Sequence, residues 1–151
     1  MIVIEIPGEP IGKGRPRLGK GRTYTPEKTQ RWEQAAAWEA RRQYQGEPLE
    51  GPLELTVTAV FGIPASWPKW KQEQAMGGWV VHTVKPDASN VLKAVEDALQ
   101  GIAYLDDSQI ASVSISKWYG SEPGLAVKCR VTDMLHSKSK RSEIKVQELQ
   151  C

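Results

Sequence analysis

Alternating apolar and polar positions predict four β-strands. Residues 2–6 and residues 53–61 each place an apolar side chain at every second position, the pattern of a strand with one buried face. Two further alternating segments, residues 110–119 and 125–132, lie on either side of Glu122-Pro123-Gly124, which is a typical turn sequence. These last two segments are therefore predicted to form a closing antiparallel hairpin.

Two longer segments carry helical signals. Residues 26–44 follow Thr25, a suitable N-cap residue, begin with a proline in the first turn, and contain three consecutive alanines. Residues 87–101 repeat apolar side chains at helical spacing. A short helix at 68–75 is predicted within the connection 62–86, and residues 7–22 are predicted to be a long loop because Gly and Pro interrupt them repeatedly.

This order of elements predicts an α/β (α+β) fold. The strands would form a small mixed β-sheet with two main helices packed on one face. The length of 151 residues fits one domain, predicted to span residues 1–133, and the charged residues 134–151 are predicted to form a flexible tail.

Composition excludes several classes of protein. No apolar run approaches the roughly 18 residues of a membrane-spanning helix, and the first residues lack the pattern of a secretory signal. Two cysteines and two histidines without ligand spacing give neither a disulfide framework nor a structural zinc site. We therefore expect a cytoplasmic protein that has no membrane partner.

Charge is distributed unevenly, although the formal net charge is only +2. Residues 13–28, here called the basic arm, carry six basic side chains and one acidic side chain. Residues 87–107 carry five acidic side chains and only Lys93 as a base. A basic arm and an acidic cluster in one small domain indicate binding of an anionic polymer and of metal cations.

The helix predicted at 87–101 separates its polar side chains from its apolar ones. Val91, Val95, Ala98 and Ile102 share the predicted core face. The opposite face carries the residues Asp87, Asn90, Lys93 and Asp97. Only the five residues from Gly101 to Leu105 lead from the end of this helix to Asp106-Asp107-Ser108. A carboxylate of that turn can therefore return beside the helix, where converging carboxylates require a cation. Each feature also has a plainer explanation, as an N-cap, a solvated face or a turn.

Taken together, these motifs resemble a known family. The segments are Lys85-Pro86-Asp87-Ala88-Ser89-Asn90-Val91-Leu92-Lys93, Glu96-Asp97-Ala98-Leu99 and Tyr104-Leu105-Asp106-Asp107-Ser108-Gln109-Ile110 with Lys117. They resemble the RusA family of Holliday-junction resolvases over residues 1–133, and Gly12-Lys13-Gly14-Arg15-Pro16-Arg17 resembles its phage and prophage members.

This resemblance implies a homodimeric, Mg²⁺-dependent endonuclease, with Mn²⁺ as a substitute, encoded by a bacterium or phage. Such enzymes resolve four-way DNA junctions in recombination and repair by paired symmetric nicks. By position, Asp87, Lys93 and Asp107 are the expected catalytic residues, and Asp87, Asp107 and Asp106 the expected metal ligands. Ser89, Asn90 and Asp97 form a possible additional part of the site.

Ser89 departs from the family pattern, which usually has an aspartate at that position. A serine hydroxyl adds no negative charge, so three alternatives remain open: a natural variant with a rearranged ligand shell, a weakened site, or a branched-DNA binder that has lost catalysis. An RNA-binding module is a weaker alternative, because no aromatic-rich strand of the RRM type is present.

Contacts to DNA are expected from two basic segments and one strand. In the basic arm, glycines and prolines between the cations let the backbone approach phosphates closely. In the connection 62–86, Trp67 and Trp70 interleave with lysines, and could either stack on bases or form a dimer interface. The predicted DNA-binding residues are Lys13, Arg15, Arg17, Lys20, Arg22, Lys69, Lys71 and Lys117.

Overall fold

A computed structural model describes residues 1–13, 17–19, 22–24 and 26–132 of the chain. The strands are β1 (Ile2–Pro7), β2 (Arg17–Gly19), β3 (Arg22–Tyr24), β4 (Leu53–Gly62), β5 (Ile110–Gly120) and β6 (Gly124–Val131). The helices are α1 (Glu27–Gln43), α2 (Lys69–Met76) and α3 (Ala88–Leu99), followed by a short 3₁₀ turn at Asp107–Gln109.

The main sheet is mixed and has four strands in the order β1-β6-β4-β5. Strand β6 is antiparallel to both of its neighbours, so Val127 lies opposite Ile4 on one side and Val57 on the other. Strand β5 is parallel to β4. The predicted fold class, a mixed sheet with helices in an α+β arrangement, is confirmed.

The predicted hairpin between the last two strands is wrong. Strands β5 and β6 have the predicted positions, but β4 lies between them and pairs with both. The three residues after Gly120 therefore cross the end of β4 instead of forming a tight turn. Strand β6 pairs on both edges, which buries its alternate apolar residues more completely than a hairpin at the edge of the sheet would.

The basic arm contains a small hairpin where a continuous loop was predicted. Strands β2 and β3 are antiparallel, with the backbone of Arg17 opposite Tyr24 and that of Gly19 opposite Arg22. Two residues connect the strands, the usual length for a tight hairpin connection. The predicted tail, residues 134–151, lies outside the described residues.

The helices match the predicted segments closely. Helix α1 begins at Glu27 with Pro26 as its N-cap, one residue later than predicted, and the predicted cap Thr25 lies outside the described residues. Helix α2 falls on the predicted short helix, and α3 begins directly after Asp87. None of the helices in the described part of the chain is long and apolar enough to cross a membrane.

The core lies between the helices and one face of the sheet. Every second side chain of β4 is buried, from Leu53 to Phe61, and β1 and β6 bury theirs on the same face. The predicted core face of α3 is confirmed, because Val91, Val95 and Ala98 are buried. This packing fixes α3 against the sheet and leaves its polar face toward solvent.

The chain turns back sharply after α3. Gly101 has a φ of 85°, which favours glycine, and its N–H donates to the Tyr104 carbonyl oxygen at 2.7 Å. Tyr104 is fully buried, and its hydroxyl donates to the Glu96 carbonyl oxygen at 2.6 Å. This anchored return directs the following turn, with Asp107, toward the exposed face of α3.

Candidate active site

Asp87 occupies the N-cap position of α3 without capping it through its side chain. Its backbone carbonyl accepts from the N–H groups of Asn90 and Val91 at 3.0 Å, whereas its carboxylate makes no capping hydrogen bond. The side chain is exposed and lines a cavity of about 700 Å³. The plainer explanation of Asp87 as a side-chain cap therefore does not apply, and its carboxylate oxygens are available to a ligand.

Lys93 lies between two carboxylates. Its ammonium is 3.1 Å from Oδ1 of Asp97, one helical turn later, and 3.3 Å from Oδ2 of Asp107. The hydrogen bond to Asp97 is the largest cause that raises the pKa of Lys93 above its usual value, and Asp107 adds to it. The structure thus brings three of the predicted site residues together around one ammonium group.

The turn that carries Asp107 is held by its neighbours. Asp106 accepts a hydrogen bond from the Ser108 N–H at 2.9 Å, which contributes most to lowering the pKa of Asp106. The Oε1 atom of Gln109 accepts from the N–H groups of Leu105 and Asp106, both at 3.0 Å. One oxygen of the predicted metal ligand Asp106 is therefore used to cap its own turn.

Gln109 also ties this turn to the rest of the fold. Its side-chain nitrogen donates to the carbonyl oxygen of Leu49 at 2.9 Å and to that of Gly51 at 3.1 Å. Gln109 belongs to one of the sequence motifs, but no role was predicted for it. The amide is chemically suited to this position, since it accepts from two backbone N–H groups and donates to two carbonyl groups at once.

Lys13, predicted to contact phosphate, lies at the site with its ammonium between acidic groups. The Nζ atom is 2.5 Å from Oδ2 of Asp97 and 2.9 Å from Oε1 of Glu33 on α1. Partial burial raises the pKa of Asp97, but hydrogen bonds from Lys13 and Lys93 oppose this effect, and the net pKa is lowered. Asp97 is therefore a shared acceptor for two lysines.

Lys117, another predicted DNA contact, supports the loop that leads to Asp87. It lies on the helix-facing side of β5, and its Nζ atom donates to the carbonyl oxygens of Val84 and Pro86, both at 2.9 Å. The peptide bond between Lys85 and Pro86 is cis. In this arrangement Lys117 holds the backbone immediately before the catalytic candidate Asp87.

The remaining candidates on α3 differ in their surroundings. Ser89 and Asn90 are exposed, and Asn90 lines the cavity beside Asp87. Glu96 was not predicted as a site residue. Burial is the main cause that raises its pKa; the charge of Lys93 opposes this effect, and the charges of Asp107 and Asp97 add to it. Within residues 1–13 and 26–132, no three acidic, His or Cys side chains are close enough together to hold a metal ion as a group.

The cavity beside Asp87 was not anticipated from the sequence. His82 and Phe61 contribute a ring stack with centroids 3.6 Å apart, and His82 is buried with no hydrogen-bond partner at Nδ1. Burial is the main cause that lowers the pKa of His82. Lys28 and Lys85 also line the cavity, which therefore combines aromatic side chains with cations near the candidate site.

The basic segments are only partly described. Trp67 is packed edge-on against Tyr119 and lies under the ammonium of Lys71, whereas Lys69 and Trp70 are exposed. Arg17 is the first residue of β2 and Arg22 the first residue of β3 in the arm hairpin. Arg15 and Lys20 lie outside the described residues.

Comparison with known proteins matches these elements to a family. Residues 7–130 match the family described as Endodeoxyribonuclease RusA. This matched range includes every candidate residue described above. The chain belongs to this family. It is also 35% identical over 135 residues to the uncharacterized protein YqaN of Bacillus subtilis (strain 168). The aligned region covers 85% of this chain and 95% of that protein. Membership confirms the resemblance drawn from the motifs and indicates a nuclease.

Proposed function

We propose that this chain is a Mg²⁺-dependent endodeoxyribonuclease that resolves four-way DNA junctions as a homodimer, in the cytoplasm of a bacterium or phage host. The observation that carries this proposal is the pairing of Lys93 with Asp97 and Asp107, inside the region that matches the RusA family. Asp87 stands at the start of the same helix, with its carboxylate not used in capping.

The donor set fits a magnesium ion. Mg²⁺ is commonly held by one or two carboxylates, substrate phosphate and several waters, so Asp87 and Asp107 suffice as protein ligands. The second oxygen of Asp106 could add a further donor, and the neutral hydroxyl of Ser89 adds no charge. When bound, Mg²⁺ would lower the pKa of a water and neutralise charge on the phosphate, and Mn²⁺ would do the same.

Lys93 would bind the scissile phosphate. An ammonium has three donors, and two of them are directed at Asp97 and Asp107, which leaves one for a phosphate oxygen. Its raised pKa keeps the group charged at neutral pH. A fixed cation beside the phosphate stabilises the negative charge that develops during hydrolysis.

The basic residues would position the junction without reading its sequence. The cations Arg15, Arg17, Lys20 and Arg22 of the arm, together with Lys69 and Lys71, are suited to phosphate contacts. The exposed ring of Trp70, next to these two lysines, is suited to stacking on an unpaired base at the junction centre. Paired symmetric nicks require two active sites related by a two-fold axis, which a homodimer supplies.

Ser89 favours a second candidate function, that of a branched-DNA-binding protein without catalytic activity. The family pattern has a third carboxylate at this position, and a site with less negative charge binds a divalent cation more weakly.

The test is cleavage of a labelled synthetic four-way junction and a matched linear duplex, each with and without Mg²⁺. Asp107→Asn removes a proposed ligand. Glu122→Gln, in the exposed connection before β6, is the matched control for loss of a carboxylate elsewhere. Paired nicks in the junction alone that require Mg²⁺ and are lost only in Asp107→Asn would support the proposal.

Tight junction binding by the wild-type protein without nicks, in either Mg²⁺ or Mn²⁺, would overturn the catalytic proposal and support the second candidate. Equal binding of the junction and the linear duplex would overturn both.

A further inference from the structure

The base of the basic arm is fastened to the first turn of α3. A Cβ atom added at Gly12 would lie 2.7 Å from Cβ of Pro86 and 3.0 Å from Cβ of Asn90, so only glycine allows the chain to pass this closely. The next residue, Lys13, donates its backbone N–H to the Asn90 carbonyl oxygen at 3.0 Å. The first residue of the basic arm, Lys13, therefore lies directly beside the candidate active site.

The Lys13 side chain continues this attachment into the site. Its ammonium contacts Asp97 at 2.5 Å and Glu33 at 2.9 Å, and only 20% of the side chain is exposed. Two of its three donors are thus directed at carboxylates. A DNA phosphate would have to compete with both carboxylates for this cation, unlike at the exposed Lys28 of the same arm.

The two lysines use different oxygens of the same carboxylate. Lys13 contacts Oδ2 of Asp97, and Lys93 contacts Oδ1 at 3.1 Å. Each contact limits rotation of the carboxylate, so the position of one lysine constrains the other. Without Lys13, Asp97 could turn toward Lys93 and draw its ammonium away from Asp107.

We propose that Lys13 is a positioning residue, which holds Asp97 so that Lys93 stays directed at the scissile phosphate and which couples the arm to the active site. This inference deepens the proposed nuclease function and rests on it. It assigns Lys13 a role distinct from the phosphate contact expected from the sequence.

The decisive comparison is Lys13→Met with wild-type protein, measured as single-turnover cleavage and as junction affinity over a range of salt concentrations. Loss of an outer-shell partner that orients a residue of the site typically lowers activity about 10- to 100-fold. We expect a loss of that size in the cleavage rate, with an unchanged salt dependence of affinity. A phosphate contact would instead reduce the slope of log affinity against log salt by about 0.9. Lys69→Met, at an exposed lysine, is the matched control for that change in slope.

Two further variants separate positioning from general damage. Lys13→Arg keeps the charge and should recover much of the cleavage rate, whereas Lys13→Gln removes the charge and serves in place of Lys13→Met if that variant does not fold. In an Asp97→Asn background, Lys13→Met should have little further effect, because Lys13 acts through Asp97. An independent further loss of 10-fold or more would overturn the inference.

A readout without DNA distinguishes failure of this inference from failure of the proposed function. The NMR signal of the Lys93 Cε–H group, assigned by Lys93→Arg, should move in Lys13→Met and return in Lys13→Arg. If the wild-type protein neither binds nor cuts junctions, the proposed function fails, and a shifted Lys93 signal still supports the positioning contact. An unmoved signal with an unchanged cleavage rate overturns the inference alone.

Discussion

The side-chain amide of Gln109 donates a hydrogen bond of 2.9 Å to the backbone carbonyl oxygen of Leu49, 60 positions earlier in the chain. The same side chain accepts from two backbone N–H groups at the start of the turn that carries Asp107. One residue therefore links the connection before β4 to the turn that places a carboxylate beside Lys93.

Replacing Gln109 with alanine should destabilise the protein and also lower its activity. Several hydrogen bonds are lost together, each with a net worth of about 1 kcal/mol, so we expect a total loss of about 1–3 kcal/mol in the free energy of unfolding. Urea denaturation measures this change. Gln74→Ala, on the exposed side of α2, is the control and should change stability by less than about 0.5 kcal/mol.

Replacing Lys93 with methionine should lower the single-turnover cleavage rate by about 10²- to 10³-fold, the usual cost of one donor that stabilises transition-state charge. Junction affinity should change far less. The control is Lys128→Met, at an exposed position on the open face of the sheet. Equal rates for Lys93→Met and wild-type protein would exclude Lys93 from the chemistry.

Replacing Ser89 with aspartate should lower the Mg²⁺ concentration needed for half-maximal cleavage. The new carboxylate would lie on the exposed first turn of α3, close to Asp87, where negative charge also interacts favourably with the helix N-terminus. Ser89→Asn has a similar shape without the charge and should leave the Mg²⁺ requirement unchanged. An identical Mg²⁺ titration for Ser89→Asp and Ser89→Asn would show that this position does not contribute to the metal site.

His82 should make the protein less stable in acid. Burial, with Lys117 nearby, lowers the folded-state pKa of His82, although Glu9 partly opposes this effect. The unfolded chain therefore takes up the proton more readily. The stability contributed by neutral His82 is complete above the unfolded pKa, about 6.5, and falls as the pH drops below it.

The variant His82→Phe keeps an aromatic ring against Phe61 and removes the titrating group. Urea unfolding at pH 7.5 and pH 5 should show a smaller loss of stability in this variant than in the wild-type protein. Equal losses would mean that the pKa of His82 does not differ between the folded and unfolded states.

Local patterns predicted the elements better than their arrangement. The alternation in β5 and β6 located both strands, but it cannot show that β4 enters between them, because strands consecutive in sequence are usually neighbours in space. The arm hairpin was missed because its strands have only three residues each and lie among glycines.

The candidate site was predictable where it depends on helix geometry. The four-residue spacing of Lys93 and Asp97 indicated their contact, and the short return after α3 indicated the approach of Asp107. The contact between Lys13 and Asp97 joins residues 84 positions apart and has no local signal. The cavity at His82 likewise depends on the packing of separate segments.

The strand order has a consequence for synthesis of the protein. In the main sheet, β1 emerges first from the ribosome, yet its only neighbour there is β6, the last strand in the described part of the chain. Strand β1 therefore stays unpaired, with one apolar face, until its partners in β6, residues 124–129, have been synthesised. Nascent chains that stall before β6 should expose this edge and be prone to aggregation.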